Sequence, residues 1–435
     1  MNRTGRFLAR QSWRSYLQST AFWLLVSAAA ALAQEDNVII DHADSLVGLE
    51  INGERARALV GDVRFRQGKV IVTCAKAIQY LASRKLTMEG LVEVRDDSMR
   101  MVSSRGTYDA VTKTAEAFDK VMLEDRYTTL HAGYGKYLFS EKKAFFSTNV
   151  VVQDTGSVLT AKELVYDRDR RHLVADGNVI IVNEKSGLTT SGGHFEHFQE
   201  RKFSVMTLRP RIVSVDSAAA GAADTLEIFS RILEMYQDSL PRLVATDSVR
   251  MFRGELAAEA GSAEMFSDKD SIVLRRLPFV WYAAGPNDAN QISGDSIWIQ
   301  LRTRKLESIL IRGRAVAISR ADSVHPKRFN QMTGQEIVMR FAENRLERID
   351  VDRTATSLYY LFDGVTPNGL NTTTGDRVTM TFIAGAIDKI AVLADVQGQY
   401  IPERLVKGRE EQYNLEGFNW RAKITRGAAA VSRLK

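Results

Sequence analysis

Apolar and polar residues alternate with a period of two over most of the chain. Val92-Glu93-Val94-Arg95 is typical, and it is the pattern of a half-buried strand rather than of a helix face. Polar clusters interrupt the alternation at Arg66-Gln67-Gly68-Lys69, Ser140-Glu141-Lys142-Lys143 and Asp167-Arg168-Asp169-Arg170, each with the composition of a turn. Val, Ile, Thr and Tyr are frequent, as suits a pleated surface. The expectation is an all-β chain. One stretch, Leu226 to Tyr236, also sets Ile228, Ile232 and Met235 on a helical face, and strand is the preferred reading there.

The alternation itself recurs every 29 residues. Gly61-Asp62-Val63, Gly90-Leu91-Val92, Asp119-Lys120-Val121, Thr148-Asn149-Val150 and Gly177-Asn178-Val179 start at 61, 90, 119, 148 and 177. Two and four residues after each start stand Val63 and Phe65, Val92 and Val94, Val121 and Leu123, Val150 and Val152, Val179 and Ile181. Eleven after it stand Val72, Met101, Leu130, Leu159 and Leu188. Eighteen after it stand Tyr108, Tyr137, Tyr166 and Phe195, the first copy slipping to Tyr80. Each unit is expected to hold three or four short strands. All seven prolines lie at Pro210 or beyond, so residues 34–209 can form an uninterrupted sheet.

From about residue 216 the pattern changes. Ser217 to Ala223 has the composition of a linker. A second repeat then follows on Gly294, Gly334 and Gly375, 40 and 41 residues apart. Ile297 and Ile299, Ile337 and Met339, Val378 and Met380 come after these glycines, and Leu306 to Ile309, Leu346 to Ile349 and Ile387 to Ile390 complete each unit. Two such strands and a short polar turn predict a hairpin. Residues 409–435 form a basic tail, expected to be mobile.

The N-terminus carries Arg3, Arg6, Arg10 and Arg14, an apolar run from Ala21 to Leu32, and Ala31-Leu32-Ala33, which together predict a signal peptide over 1–33. The run is shorter than the roughly 20 residues a spanning helix needs. The formal charge of +6 includes these four arginines, so nucleic-acid binding is not expected. The single cysteine, Cys74, rules out an internal disulfide and reads as a small buried residue.

Catalytic signatures are weak. His194-x-x-His197 is the best metal candidate, but a spacing of three on a strand turns the two rings to opposite faces. The Asp167–Arg171 run lacks the glycine and distal glutamate of a calcium loop. No nucleophile elbow, P-loop or dinucleotide fingerprint is present. A non-enzymatic protein without cofactor or metal is expected.

Thr160-Ala161-Lys162-Glu163-Leu164-x-Tyr166-Asp167 and Leu173-x-Ala175-Asp176-Gly177-Asn178-Val179, set among Gly-x-Val strands 29 residues apart, resemble the OstA domain of the OstA/LptA lipopolysaccharide-transport family. Phe329-Asn330-Gln331-Met332-x-Gly334 and Leu346-Glu347-Arg348-Ile349-Asp350-Val351 resemble the longer OstA-like proteins. The resemblance implies an elongated, repeat-built β-jellyroll open along one edge (a β-taco), in two consecutive lobes over 34–215 and 216–408. It implies a periplasmic carrier, with a possible outer-membrane association, that shields lipopolysaccharide acyl chains in an apolar groove. The lining would be the fifteen repeat residues from Val63 to Leu188 named at positions two, four and eleven. Implied partners are lipopolysaccharide or a lipid A-like glycolipid, other Lpt-type envelope proteins joined by edge-strand addition, and head-to-tail copies of the chain. Two departures stand out: the chain is more than twice the length of a minimal member, and it lacks a terminal barrel. The rival expectation is a structural or adhesive β-solenoid with a closed core and no lipid cargo.

Overall fold

The computed structural model describes residues 39–426, apart from 68–69, 96–98, 126–127, 185–186, 216–224, 267–268, 284–288, 303–304, 343–344 and 384–385. The expected signal peptide and the 217–223 linker lie outside the described residues. The described residues form 28 strands paired antiparallel and two single-turn helices, Glu403–Val406 and Glu410–Tyr413. Leu226 to Tyr236 is strand, divided between Thr225–Phe229 and Ile232–Tyr236. The chain divides into two compact units: residues 1–210 with 234–239, and 211–233 with 240–435.

Unit 1 contains β1 (Ile39–His42), β2 (Ser45–Ile51), β3 (Glu54–Gln67), β4 (Val70–Tyr80), β5 (Lys85–Arg95), β6 (Met99–Asp109), β7 (Thr114–Asp125), β8 (Thr129–Leu138), β9 (Lys143–Gln153), β10 (Ser157–Asp167), β11 (His172–Asn183), β12 (Leu188–Phe198) and β13 (Phe203–Thr207). Each 29-residue repeat is one long hairpin, not three or four separate strands. The shorter segments read from the sequence are half-strands, because each long strand bends at its middle.

The bend sits on the residues that open each repeat. Gly61-Asp62, Gly90-Leu91, Asp119-Lys120, Thr148-Asn149 and Gly177-Asn178 are consecutive left-handed pairs, with φ between 39° and 81°. Such a pair breaks the pleat and slips the register, as between Phe118 and Val121 in β7. Glycine suits the conformation because it has no Cβ to clash, and Asn and Asp tolerate it better than most residues. Every odd strand from β3 to β11 thereby folds into two halves, and unit 1 becomes two leaves joined at a line of corners. The first leaf holds the segments before the corner and the second leaf those after it.

Unit 2 uses the same device. Asp247-Ser248, Arg276-Leu277, Gly313-Arg314, Arg353-Thr354 and Ala394-Asp395 are again left-handed pairs. The glycines of the longer repeat lie on the neighbouring strands, pressed against these corners. A Cβ on Gly334 would stand 2.6 Å from Val351 Cγ1 and 3.2 Å from the Asp352 carbonyl. The expected hairpins are present, with Ile299 opposite Ile309, Met339 opposite Ile349 and Met380 opposite Ile390. The period rises to about 40 because the strands are longer, as in Arg345–Asp363 and Thr366–Ile383.

The C-terminal segment is not a loose tail. Up to Arg426 it packs across the outer face of unit 2's second leaf. One row of that face runs Phe252, Ala257, Trp281, Gln291, Ile318, Gln331, Leu358. Tyr413 and Leu415 pack beside Leu358 and Tyr360, Phe418 and Trp420 on Phe329, and Ile424 beside Phe252 and Trp281. Two buried amides hold its polar groups. Gln291 donates to the Arg421 carbonyl at 2.6 Å and accepts from the Arg421 N–H at 2.9 Å. Gln331 donates to Asn414 Oδ1 at 2.6 Å and accepts from the Leu415 N–H at 2.8 Å. The positive charge read as a solvated tail is met by Glu259 against Arg421 and Glu255 against Lys423.

Candidate functional site

The corner geometry turns one face of each leaf inward, and the register of unit 1 lines up its residues strand by strand. In the second leaf a single row crosses ten strands: Phe65, Val72, Val94, Met101, Leu123, Leu130, Val152, Leu159, Ile181 and Thr190. The adjacent row, at the corner, alternates large and small. Val63 faces Cys74, Val92 faces Ser103, Val121 faces Ala132, Val150 faces Ala161, and Val179 faces Gly192. The alternation lets the valines of successive repeats interdigitate at close packing.

Fourteen of the fifteen predicted lining residues therefore occupy two neighbouring interior rows. Leu188 does not. It pairs with Asn183 and lies two residues from the row, where Thr190 takes its place. The link from Ile181 to its partner is two residues longer than the corresponding link from Val152 to Leu159, so the 29-residue count falls two short there. Phe195 slips for the same reason: His197, not Phe195, follows Tyr108, Tyr137 and Tyr166 along their row. Eleven of the fifteen side chains are buried, and Val72, Val94, Met101 and Ile181 are half-buried.

The facing wall was missed in the sequence. It is a row in the first leaf, Leu59, Ala77, Met88, Gly106, Ala117, Gly135, Phe146, Leu164, Ala175, Phe195 and Met206. Its signal was available two residues before each repeat start, at Leu59, Met88, Ala117, Phe146 and Ala175. Mixed sizes hid it, because the row fills a wedge and its residues need equal polarity but not equal volume. The two leaves meet: Leu59, Ala77 and Met88 pack with Val63, Phe65 and Val92 in one cluster.

The titratable groups of this interior are suppressed rather than activated. Burial pushes the Cys74 thiol up to about 11, so it stays protonated, and it fills one of the small slots. Burial, with a smaller contribution from His172, pushes His197 down to about 4. The two candidate metal ligands point apart. His197 Nδ1 lies 2.5 Å from Ser204 Oγ on the inner face, whereas His194 reaches Asp176 at 2.6 Å and Glu196 at 3.1 Å on the other. Among the described residues no helix is long and apolar enough to cross a membrane.

A search of curated proteins finds no match. Residues 35–191 match the family model described as OstA-like protein, and this span covers β1 to β11 with the start of β12. The N-terminal part of the chain, which builds the two aligned walls of unit 1, is similar to the OstA-like family over this span.

Proposed function

We propose that unit 1 is a non-enzymatic carrier for the acyl chains of a lipopolysaccharide-type glycolipid in the bacterial periplasm. The reading rests on one observation above all: apolar side chains stand opposite one another across nine successive strands, β3 to β11, in the region that matches the OstA-like family. A row of like residues lets an acyl chain shift from one strand to the next without a deep well. Leaving water is worth about 0.8 kcal/mol per methylene, so a ~12-carbon chain gains on the order of 10 kcal/mol gross. Loading requires the leaves to part. Ladder hydrogen bonds run within each leaf, between neighbouring strands, so parting the leaves breaks apolar contacts but leaves the ladders intact.

The edge strands β1 and β2 expose Ile39, Ile40, Leu46 and Val47, a surface suited to strand addition by an envelope partner or a second copy. Assembly that grows with protein concentration is the expected behaviour.

The competing reading is a cargo-free structural scaffold, and the tight interior favours it: Leu130 and Val150 are wholly buried. A photoreactive residue at Leu130 decides between them. Cross-linking of phosphorylated glycolipid at Leu130, but not at Glu93 on the outer face, supports the carrier. Purified protein with no lipid in its organic extract, and no cross-link at either position, supports the scaffold.

A further inference from the structure

The turns that end the first leaf of unit 1 carry charge at an unusual position. A left-handed turn residue is ordinarily Gly, Asn or Asp. In five successive turns it is Arg84, Lys113, Lys142, Arg171 and Lys202, with φ between 46° and 56°, and all five are exposed. The turns are tied into a column. The carbonyls of Arg84, Lys113, Lys142 and Arg171 accept the N–H of Ala110, Phe139, Arg168 and Gln199 at 3.0–3.2 Å. Neighbouring cations are thus two strands apart, about 9–10 Å. The five connections on this rim hold eight Arg and Lys against three Asp and Glu.

A second observation marks one place in this column. The residue that opens each turn is Leu81, then Ala110, then Phe139, then Arg168, each 29 residues after the last. Arg168 puts a half-buried guanidinium where earlier repeats put an apolar group. Its Nη1 is buried beside the buried hydroxyl of Tyr137, and the two interact without closing a well-formed hydrogen bond to each other or to any other group. The nearby carboxylates are engaged elsewhere. Asp167 accepts the Arg170 N–H at 3.0 Å, and Asp169 pairs with Lys142 at 2.9 Å. A buried donor set of this kind calls for an acceptor with several oxygens.

We propose that this rim binds the phosphate of a phosphorylated lipid head group, with the Arg168 guanidinium, held from behind by Tyr137, donating to its oxygens and Lys142 and Arg171 flanking it. A bidentate guanidinium matches phosphate geometry, and the exposed cations attract it. The inference rests on the carrier reading and names the part of the cargo that stays outside the apolar walls.

The test is binding of three probes to the full chain: a bisphosphorylated lipid A, the same lipid chemically dephosphorylated, and inorganic phosphate. Arg168→Gln is expected to weaken the phosphorylated lipid about tenfold and leave the dephosphorylated one unchanged. The double variant Lys142→Gln/Arg171→Gln, confined to exposed turn positions, is expected to weaken it about threefold, an effect that fades in high salt. Equal binding of both lipids by the unaltered chain overturns the rim site and leaves the carrier reading standing. No lipid binding, with inorganic phosphate bound by the unaltered chain and lost in Arg168→Gln, upholds an anion site and defeats the carrier reading. Variants that match the unaltered chain for every probe overturn the proposal.

Discussion

The two units solve the same folding problem with the same corner but finish their outer faces differently. In unit 1 an outer row of the second leaf reads Arg64, Thr73, Glu93, Val102, Met122, His131, Val151, Thr160, Ile180 and Ser191. Polar and apolar residues mix, and ion pairs such as Arg100 with Glu93 and Glu124 lie across the face. In unit 2 the matching row carries Phe252, Trp281, Ile318 and Leu358, and the chain's own C-terminal segment covers it. A long apolar outer face cannot be left bare without inviting association. Unit 2 therefore needs its strap, whereas the outer face of unit 1 is wettable as it stands.

This contrast can be broken in four places. Glu403→Ala strikes the anchor of the strap. It removes the chief partner of Arg328, whose side chain is only 2% exposed and sits 2.6 Å from Glu403. Glu410 stays 3.4 Å from the guanidinium, so the loss is expected to lie at the low end for a broken buried pair, about 3 kcal/mol. Of the five tryptophans, Trp281, Trp298 and Trp420 lie in unit 2 and Trp13 and Trp23 in the expected signal peptide, so in the chain freed of residues 1–33 tryptophan fluorescence during urea unfolding reports unit 2, and hydrogen exchange in β4 to β10 reports the other. A matching loss of protection in β4 to β10 would show that the units unfold as one body. The converse substitution, Leu130→Ala, empties a wholly buried position of unit 1 and is expected to cost about 2–4 kcal/mol there, with the tryptophan transition unmoved.

Acid should also separate them. His197 is held neutral, its pKa falling from an ordinary 6.5 to about 4 on burial. The unfolded chain therefore binds the proton more readily, and stability is lost as pH drops from about 6.5 through 4, by on the order of 2–3 kcal/mol. The difference between the unaltered chain and His197→Gln isolates this contribution from His194, whose neighbours Asp176 and Glu196 raise its pKa against the opposing effect of burial. An identical pH profile for the two proteins would discount it. The smallest effect belongs to the corners. Leu91 and Leu277 are exposed leucines in the left-handed region, one in each unit. Leu91→Asn and Leu277→Asn should each stabilise their own unit by about 0.5–1 kcal/mol, since Asn tolerates that conformation better. Destabilisation by either, in thermal melts, would mean that the leucine packs on a surface worth more than the strain.

Much of this was legible along the chain. The period of 29 marked the repeat starts, which the structure turns into corners, and the alternation within it assigned Val63, Leu130 and Val150 to the inside. The reading failed where spacing stopped being constant. Two extra residues before Thr190 shifted Leu188 and Phe195, and no local pattern announces a longer link. The facing wall of Leu59, Met88 and Phe146 escaped because its side chains vary in size to fill a wedge. Arg168 looked like one more solvated turn residue, since its guanidinium is set beside Tyr137 of β8, two strands earlier.

What the amino-acid order determined by itself is local: strand, turn, corner and the side of the pleat on which each residue falls, because these follow from backbone sterics and a period of two. Tertiary structure alone decided what covers each face. The C-terminal segment reads as a basic tail, yet Leu415, Phe418, Trp420 and Ile424 seal unit 2, because partners such as Leu358, Phe329 and Phe252 stand far away in sequence and only the folded sheet sets them on one face.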